Sequence, residues 1–133
     1  MASIEVTPLG DGRTQVTHVG SGAGLTTDSS PEWGGGGRSF SATDLVAAGL
    51  GACIGSSIVG VLERRDVDLS AVRIEVSKTL GTEPKKIDHL DVVIHLPGPG
   101  DDKLGRLVER AAASCAVGRS VSCGETVSVV FDG

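Results

Sequence analysis

The sequence predicts an α+β domain in which two helices interrupt a series of short strands. Segments that alternate apolar and polar residues occur at the start, in the middle and at the end of the chain, and this period of two is typical of half-buried strands. A long uncharged run and a second segment with helical apolar spacing lie between them. The order ββ(β)–α–ββ–α–β lacks a regular βαβ alternation, which favours an α+β fold with antiparallel strands over a parallel α/β sheet.

The N-terminal part is predicted to be a β-hairpin followed by a loop. Residues 4–8 and 13–19 alternate as strands around a Gly-Asp-Gly turn. Residues 25–28 are expected to add a short third strand. Residues 29–40 contain four consecutive glycines and are expected to be a loop. No Gly-Lys-Ser/Thr follows these glycines, so the pattern does not predict a phosphate-binding loop.

The longest predicted helix covers residues 41–65. It begins with Ser41 and Asp44, an S-x-x-D capping box, and carries no further charge until Glu63. Each interior glycine costs about 1 kcal/mol relative to alanine. We therefore expect close approach of neighbouring backbones and a helix buried nearly all round, with Cys53 in its middle. The uncharged run approaches the length of a membrane span, but Gly, Ala and Ser supply much of it, which disfavours that alternative.

The second half predicts a hairpin, a helix and a closing strand. Alternating residues 72–80 and 90–96 flank a polar turn at 81–86. Residues 126–131 form the last strand. A helix is expected to start after Asp101 and to stop at Gly118. Its apolar face is spaced at i, i+3, i+4, i+7, i+8 and i+11 and comprises Leu104, Leu107, Val108, Ala111, Ala112 and Cys115.

Composition sets the class of protein. The length of 133 residues fits one domain, 1–133. The net charge of −5 argues against nucleic acid or an anionic membrane as partner. The N-terminus lacks a basic segment followed by an apolar one, so no signal peptide is predicted. Three cysteines without such a signal indicate a reducing, cytoplasmic location.

Because aromatic residues are scarce, we expect a second copy of the chain to complete part of the core.

Two cysteines are the candidate reactive groups, since each lies on the apolar face of a predicted helix. If the helices pack together, Cys53 and Cys115 point into one core. A reactive thiol must ionise, which requires positive charge or hydrogen-bond donors nearby. Cys115 is expected near the C-terminal end of its helix, where the dipole disfavours an anion. Cys53 is therefore the predicted attacking thiol and Cys115 the resolving thiol, with two inert core cysteines as an equal alternative.

A mid-helix thiol feels little dipole, so Cys53 is expected to depend on an outside cation. Arg13, in the first hairpin, and Arg38, before the helix, are the candidates. Asp44 can orient an arginine in addition to capping the helix. Cys123 is a spare resolving thiol or a metal ligand. The metal alternative is weak, because the sequence has no C-x-x-C and its three histidines lack ligand spacing.

Two motifs resemble those of the OsmC/Ohr family of osmotically induced and organic-hydroperoxide-resistance proteins. They are S-A-T-D-L-V-A-A-G-L-G-A-C, which ends at Cys53, and C-A-V-G-R-S, which begins at Cys115. The resemblance covers most of the chain, including the order of elements. It implies an intertwined homodimer with two central helices per subunit and active sites lined by both subunits. It also implies thiol-dependent reduction of organic hydroperoxides, with an external dithiol reductant and no cofactor or metal.

By position, Cys53 matches the family's peroxidatic cysteine and Cys115 its resolving cysteine, and Arg13 lies in the hairpin that supplies the catalytic arginine. The best-studied peroxidases of the family have a glutamate where this chain has Thr43, and Asp44 stands one position later, as in some OsmC-like branches. The family's second motif is usually Cys-Pro, whereas alanine follows the second cysteine here. These departures leave two alternatives: a non-enzymatic redox-sensing or small-molecule-binding protein, and a structural dimer with inert cysteines.

Overall fold

The computed structural model describes residues 2–133, which fold as two compact units, 2–46 and 47–133. The architecture is α+β, with two three-stranded sheets and three α-helices among the described residues. The predicted class and its β-hairpin start are therefore confirmed. The assignment of 1–133 to one domain stays a prediction.

The first unit contains an antiparallel sheet of β1 (Ile4–Gly10), β2 (Arg13–His18) and β3 (Gly24–Asp28), in that order. The hairpin and the short third strand follow the predicted pattern. Cross-strand pairing places Arg13 of β2 directly opposite Asp28 of β3. Residues paired in this way lie on the same face of a sheet, so the guanidinium and the carboxylate share one face at the end of the two strands.

Asp28 organises the glycine-rich segment that follows β3. Its side chain is only 2% exposed. One carboxylate oxygen accepts the Gly36 N–H at 2.9 Å, and the other accepts the backbone N–H of Arg38 at 3.1 Å and its Nε–H at 2.8 Å. Gly35 must lack a side chain here, because a Cβ would collide with the Ser29 carbonyl. The expected loop is thus ordered around a buried carboxylate, and its one helical turn is the 3₁₀ segment Pro31–Trp33.

Helix α1 (Ala42–Arg64) begins in the first unit and continues into the second. Its predicted capping box is confirmed. The Ser41 N–H donates to Asp44 Oδ2 at 2.9 Å, and the Asp44 N–H donates to Ser41 Oγ at 3.1 Å. The two reciprocal bonds satisfy backbone donors that would otherwise lack partners at the helix start.

The expectation that α1 is buried nearly all round is wrong for the single chain. One stripe at i, i+3/i+4 spacing is buried, and Val46 and Val59 are exposed. The close approach of a neighbouring backbone that we expected at the α1 glycines is not observed within the single chain: a Cβ on Gly51 would lie 3.0 Å from a side-chain methyl group of Val76, and a Cβ on Gly49 would have nothing within 4 Å. By length and composition α1 is also apolar enough to span a membrane, a test that core helices pass as well. The buried stripe comprises Ala47, Leu50, Ile54, Ile58 and Leu62.

The second sheet contains β4 (Arg73–Thr82), β5 (Lys85–Leu96) and β6 (Gly124–Phe131), in that order. The β4–β5 hairpin is confirmed, and its strands extend further into the predicted turn than expected. β6 is an exception to the antiparallel pairing that we predicted, since it runs parallel to β5. The chain between them forms helices, and parallel neighbours require a crossover of this kind. Buried side chains of β5 pack with the α1 stripe in one core.

The second helical region is two helices instead of the single helix predicted to stop at Gly118. Helix α2 (Asp102–Ala112) is capped by Asp101, and α3 (Ala116–Ser120) follows after a turn. The Ser114 hydroxyl donates to the Ala111 carbonyl at 2.7 Å, a local bond that competes with helix continuation. Cys115 is therefore the N-cap of α3, with extended dihedral angles.

The buried Asp28 carboxylate predicts a specific acid sensitivity. Hydrogen bonds, led by that from the Gly36 N–H and followed by Arg38, lower the pKa of Asp28 from 3.8 to about 2. A carboxyl group with a lowered folded-state pKa stabilises the fold above its unfolded pKa and loses this contribution as the pH falls toward 2. Asp28→Asn should therefore flatten the decline in unfolding free energy between pH 4 and pH 2, as measured by urea unfolding. Glu109→Gln, at an exposed carboxylate of α2, controls for the loss of one charge. An unchanged slope in Asp28→Asn would contradict the prediction.

Candidate active site

The second unit brings Cys53 and Cys115 together. Cys53 is half-buried on α1, and Cys115 is only 1% exposed at the start of α3. The two thiols lie close enough for hydrogen bonding from Cys115 to be the largest cause that lowers the pKa of Cys53. Both are free cysteines in this structure. The predicted convergence of two thiols into one core is thus observed, although the helix that carries the second thiol is α3 and not α2.

The Cys53 thiol is primed to ionise by donors of the same unit. The Cys115 thiol makes the largest contribution to lowering the pKa of Cys53, followed by the backbone N–H of Val117, and by smaller effects of the Ala116 N–H and the Ser57 hydroxyl. Partial burial opposes them. Hydrogen bonds to the charged form favour that form. Backbone N–H groups at the start of α3 therefore favour the Cys53 thiolate, a source of stabilisation that we had expected from an arginine.

Cys115 has the opposite electrostatic environment. Burial is the largest cause that raises the pKa of Cys115, and the hydrogen bond with Cys53 adds to it. The Gly118 N–H donates to Cys115 Sγ at 3.3 Å and opposes the rise, but less strongly than burial promotes it. Our reason for expecting a poor thiolate here, a helix C-terminus, is wrong, because the residue lies at a helix N-terminus. Desolvation is the main cause of the raised pKa of Cys115.

Ser57 is a neighbour of the site that the motif search did not identify. Its hydroxyl donates to the Cys53 carbonyl oxygen at 2.9 Å. Residues four apart lie on the same side of a helix, so the i, i+4 relation of Ser57 to Cys53 was a usable signal in the sequence. The backbone donors of α3 gave no such signal, since the periodicity of α2 continued through the break.

Arg13 and Arg38 lie together in the first unit. With Thr26, Asp28 and Ser39 they line a cavity of about 320 Å³. Arg38 is paired with Asp28 at 2.8 Å, while its side chain remains 65% exposed. The Nε of Arg13 is buried and has no hydrogen-bond partner among residues 2–133. The roles assigned to these arginines at the Cys53 thiol stay predictions.

Asp44 and Cys123 have structural positions that leave their chemical roles as predictions. Asp44 accepts the Ser41 N–H at the start of α1. Cys123 lies between α3 and β6 and packs, half-buried, against the core. Across residues 2–133, no group of three or more His, Cys, Asp or Glu side chains is arranged to hold a metal ion. Cys123 thus packs against the core as a free thiol, separately from the interaction between Cys53 and Cys115.

Comparison with known proteins decides the family. The model of the family described as OsmC-like protein matches residues 34–130. The chain belongs to the OsmC-like family. The match includes α1 with Cys53 and the α3 segment with Cys115, so both thiols lie within the family region. Family membership supports a redox or peroxidase role. No curated protein matched the chain.

Solved structures of OsmC-like proteins share the fold. A crystal structure of a candidate osmotic stress induced and detoxification response protein from Psychrobacter arcticus has a TM-score of 0.87 and 27% identity, covering 98% of this chain and 96% of that one. An organic hydroperoxide resistance protein from Legionella pneumophila has a TM-score of 0.69 and 22% identity, with coverage of 100% and 98%. One from Elizabethkingia anophelis has a TM-score of 0.70 and 16% identity, with coverage of 98% and 96%. These similarities confirm the OsmC-like fold.

The thiol pair predicts how Cys53 responds to loss of Cys115. Cys115→Ala removes the donor that contributes most to lowering the pKa of Cys53, so the thiolate of Cys53 should form at a higher pH than in the parent protein. Thiolate absorbance at 240 nm, followed during a pH titration, measures the shift, and Cys53→Ser identifies the signal. Cys123→Ser is the matched control and should leave the Cys53 transition in place. If Cys53 in the Cys115→Ala variant ionised at the same pH as in the parent protein, Cys115 would not be its leading hydrogen-bond donor.

Proposed function

We propose that the protein is a thiol-dependent peroxidase that reduces organic hydroperoxides. The observation that carries the proposal is a pair of thiols at one core whose pKa values move in opposite directions, down for Cys53 and up for Cys115, because each thiol influences the other. A peroxidatic thiol must be ionised to attack, whereas a resolving thiol can stay protonated until an electrophilic sulfur forms beside it. Membership of the OsmC-like family supports the same chemistry.

The proposed reaction is a cycle of two cysteines. The Cys53 thiolate attacks the terminal oxygen of the hydroperoxide, the O–O bond breaks, and the alkoxide takes a proton and leaves as alcohol. Cys53 is now a sulfenic acid. The Cys115 sulfur attacks it, and a disulfide forms with release of water. An external dithiol then reduces the disulfide and is itself oxidised, which restores both thiols without a cofactor.

The arginines enter the proposal as charge stabilisers. Arg13 would stabilise the thiolate and the developing alkoxide, with Asp44 orienting it, and Arg38 is the alternative donor. Support for Arg13 comes from its buried Nε, which lacks a partner among the described residues and thus has a hydrogen bond to offer. Arg38 already donates its Nε–H to Asp28, which makes it the less available of the two.

The surroundings of Cys53 favour apolar hydroperoxides. The residue packs against a core of aliphatic side chains. An organic substituent gains from removing apolar surface from water, by about 25 cal/mol per Å² buried, and hydrogen peroxide gains nothing of this kind. We therefore propose fatty or aromatic hydroperoxides as the substrate class, in a cytoplasmic protein that a cellular dithiol reduces.

A homodimer is part of the proposal. Apolar side chains are exposed along β1, at Ile4, Val6 and Leu9, and a groove of about 240 Å³ along α1 has an apolar lining that includes Val59 and Leu69. Monomeric proteins rarely leave large contiguous apolar surfaces in water. A second copy of the chain is the proposed partner for these surfaces.

We expect the dimer to be measurable directly. Size-exclusion chromatography with light scattering should give twice the chain mass of 13.4 kDa. Val59→Glu places a charge in the groove along α1 and should shift the mass toward that of one chain, because burying an unpaired charge is costly. Glu109→Gln on α2 is the control and should leave the mass unchanged. A parent protein that elutes and scatters as one chain would remove the dimer from the proposal.

Turnover with cumene hydroperoxide tests the function itself. With a dithiol reductant in excess, the parent protein should consume cumene hydroperoxide faster than hydrogen peroxide, and Cys53→Ser should lower the rate by at least about a thousandfold, since the attacking atom is lost. Cys115→Ser should accumulate the Cys53 sulfenic acid, which dimedone traps and mass spectrometry detects. Cys123→Ser should retain turnover.

Two results would contradict the proposed peroxidase function. Full turnover in Cys53→Ser would remove Cys53 as the attacking thiol. A single stoichiometric oxidation without sustained consumption would instead favour a redox sensor on the same fold, the alternative that Thr43 and the absent Cys-Pro motif suggest. Peptide mapping after the reaction separates the cases, because the peroxidase must pass through a Cys53–Cys115 disulfide.

A further inference from the structure

Ser57 occupies a position beside the reacting sulfur that neither the motifs nor the proposed cycle uses. It lies one helical turn after Cys53, half-buried, with its Oγ 2.9 Å from the Cys53 carbonyl oxygen. Hydrogen bonding by this hydroxyl is also one of the smaller causes that lower the pKa of Cys53. A serine hydroxyl carries one proton, and that proton can point to only one acceptor at a time.

The carbonyl does not depend on this bond. Cys53 and Ser57 both lie within the regular helix α1, where the N–H of residue i donates to the carbonyl of residue i−4. The Cys53 carbonyl therefore keeps its helical partner when the hydroxyl turns away. A serine that bonds back to the i−4 carbonyl in mid-helix gives little or no stability, so fold maintenance is a poor explanation for the contact.

The thiolate is the stronger acceptor. Hydrogen bonds to an ionised partner are roughly twice as strong as those between neutral groups. Once Cys53 loses its proton, rotation of one hydroxyl exchanges a neutral bond for a charge-assisted bond, without moving the backbone or leaving an unsatisfied group. The remaining donors to this sulfur come from Cys115 and from the start of α3, so Ser57 supplies the donor from α1 itself.

We propose that Ser57 is the hydroxyl donor to the reacting sulfur: its O–H turns from the Cys53 carbonyl to the thiolate and then to the oxygen of the Cys53 sulfenic acid. Ser57 keeps its proton throughout. The transferred oxygen comes from the hydroperoxide, whose remainder leaves as alcohol. Only the second contact rests on the proposed peroxidase; the first concerns ionisation of the thiol and holds whatever the oxidant.

The test compares Ser57→Val with Ser57→Thr, two side chains of nearly the same shape that differ in the hydroxyl. The rate of Cys53 alkylation by iodoacetamide is measured from pH 5 to pH 10 by mass spectrometry of the Cys53 peptide, which separates it from Cys115 and Cys123. Ser57→Val should react at least about threefold more slowly than Ser57→Thr at pH 6 and converge with it at pH 10, where the thiol is ionised in both.

Two further variants keep the outcome interpretable. Ser57→Ala places a good helix former at the same position and should show the same pH-dependent loss of alkylation rate. It replaces Ser57→Val in the comparison if Ser57→Val is poorly folded. Ser56→Ala alters the neighbouring serine, which is exposed, and should match the parent profile at every pH. Thermal unfolding of each variant confirms that it is folded under the conditions of alkylation.

The profiles also separate this inference from the peroxidase. If Ser57→Val and Ser57→Thr superimpose, or differ by one constant factor at all pH values, the donor role is overturned. If the pH-dependent loss of alkylation rate appears but the parent protein has no peroxidase turnover, the proposed peroxidase function is wrong and the proposed hydrogen bond from Ser57 to the thiolate is supported. With turnover present, dimedone trapping in Cys115→Ser should show a shorter-lived sulfenic acid when Ser57 is also changed to Val; an equal lifetime would overturn the second contact.

Discussion

The interaction between the thiols of Cys115 and Cys53 is the one on which the proposed chemistry of this protein depends, and it exists because a helix stops early. Apolar spacing would carry α2 through Cys115, yet α2 ends at Ala112 and a new helix starts at Ala116. Had the helix continued, the N–H groups of Ala116 and Val117 would bond within it. The break frees them from bonding within a continuous helix, and both contribute to lowering the pKa of Cys53.

This arrangement explains how two cysteines in one aliphatic core acquire different reactivities. Burial alone would raise the pKa of both thiols. Cys115 follows that rule, since desolvation dominates its environment. Cys53 departs from it, because it lies at the edge of the core and receives several donors that Cys115 does not. The asymmetry is therefore a matter of balance: burial outweighs the backbone donors at Cys115, whereas the donors outweigh burial at Cys53.

Sequence patterns predicted most of the fold because most of it follows local periodicity. Alternation identified the strands, and the Ser41–Asp44 capping box located the start of α1. What they did not predict depends on non-local contacts. The parallel pairing of β6 is decided by where the crossover returns the chain, and the burial of Asp28 is decided by a glycine segment that folds back onto it. The two cysteines were identified from the sequence, whereas the donors around them depend on a break within a continuous apolar pattern.

The donor network also bears on how the proposed cycle is closed. Stabilising a thiolate favours the reduced form of a dithiol, and a stabilised reduced form makes the disulfide a stronger oxidant. In this protein the principal donor to Cys53 is the thiol of Cys115 itself, and that donor is consumed when the disulfide forms. The N–H groups of α3 lose their charged acceptor in the same step. Reduction of the disulfide restores all of these bonds at once, so the hydrogen bonds that activate Cys53 for attack also favour its return to the reduced state by an external dithiol.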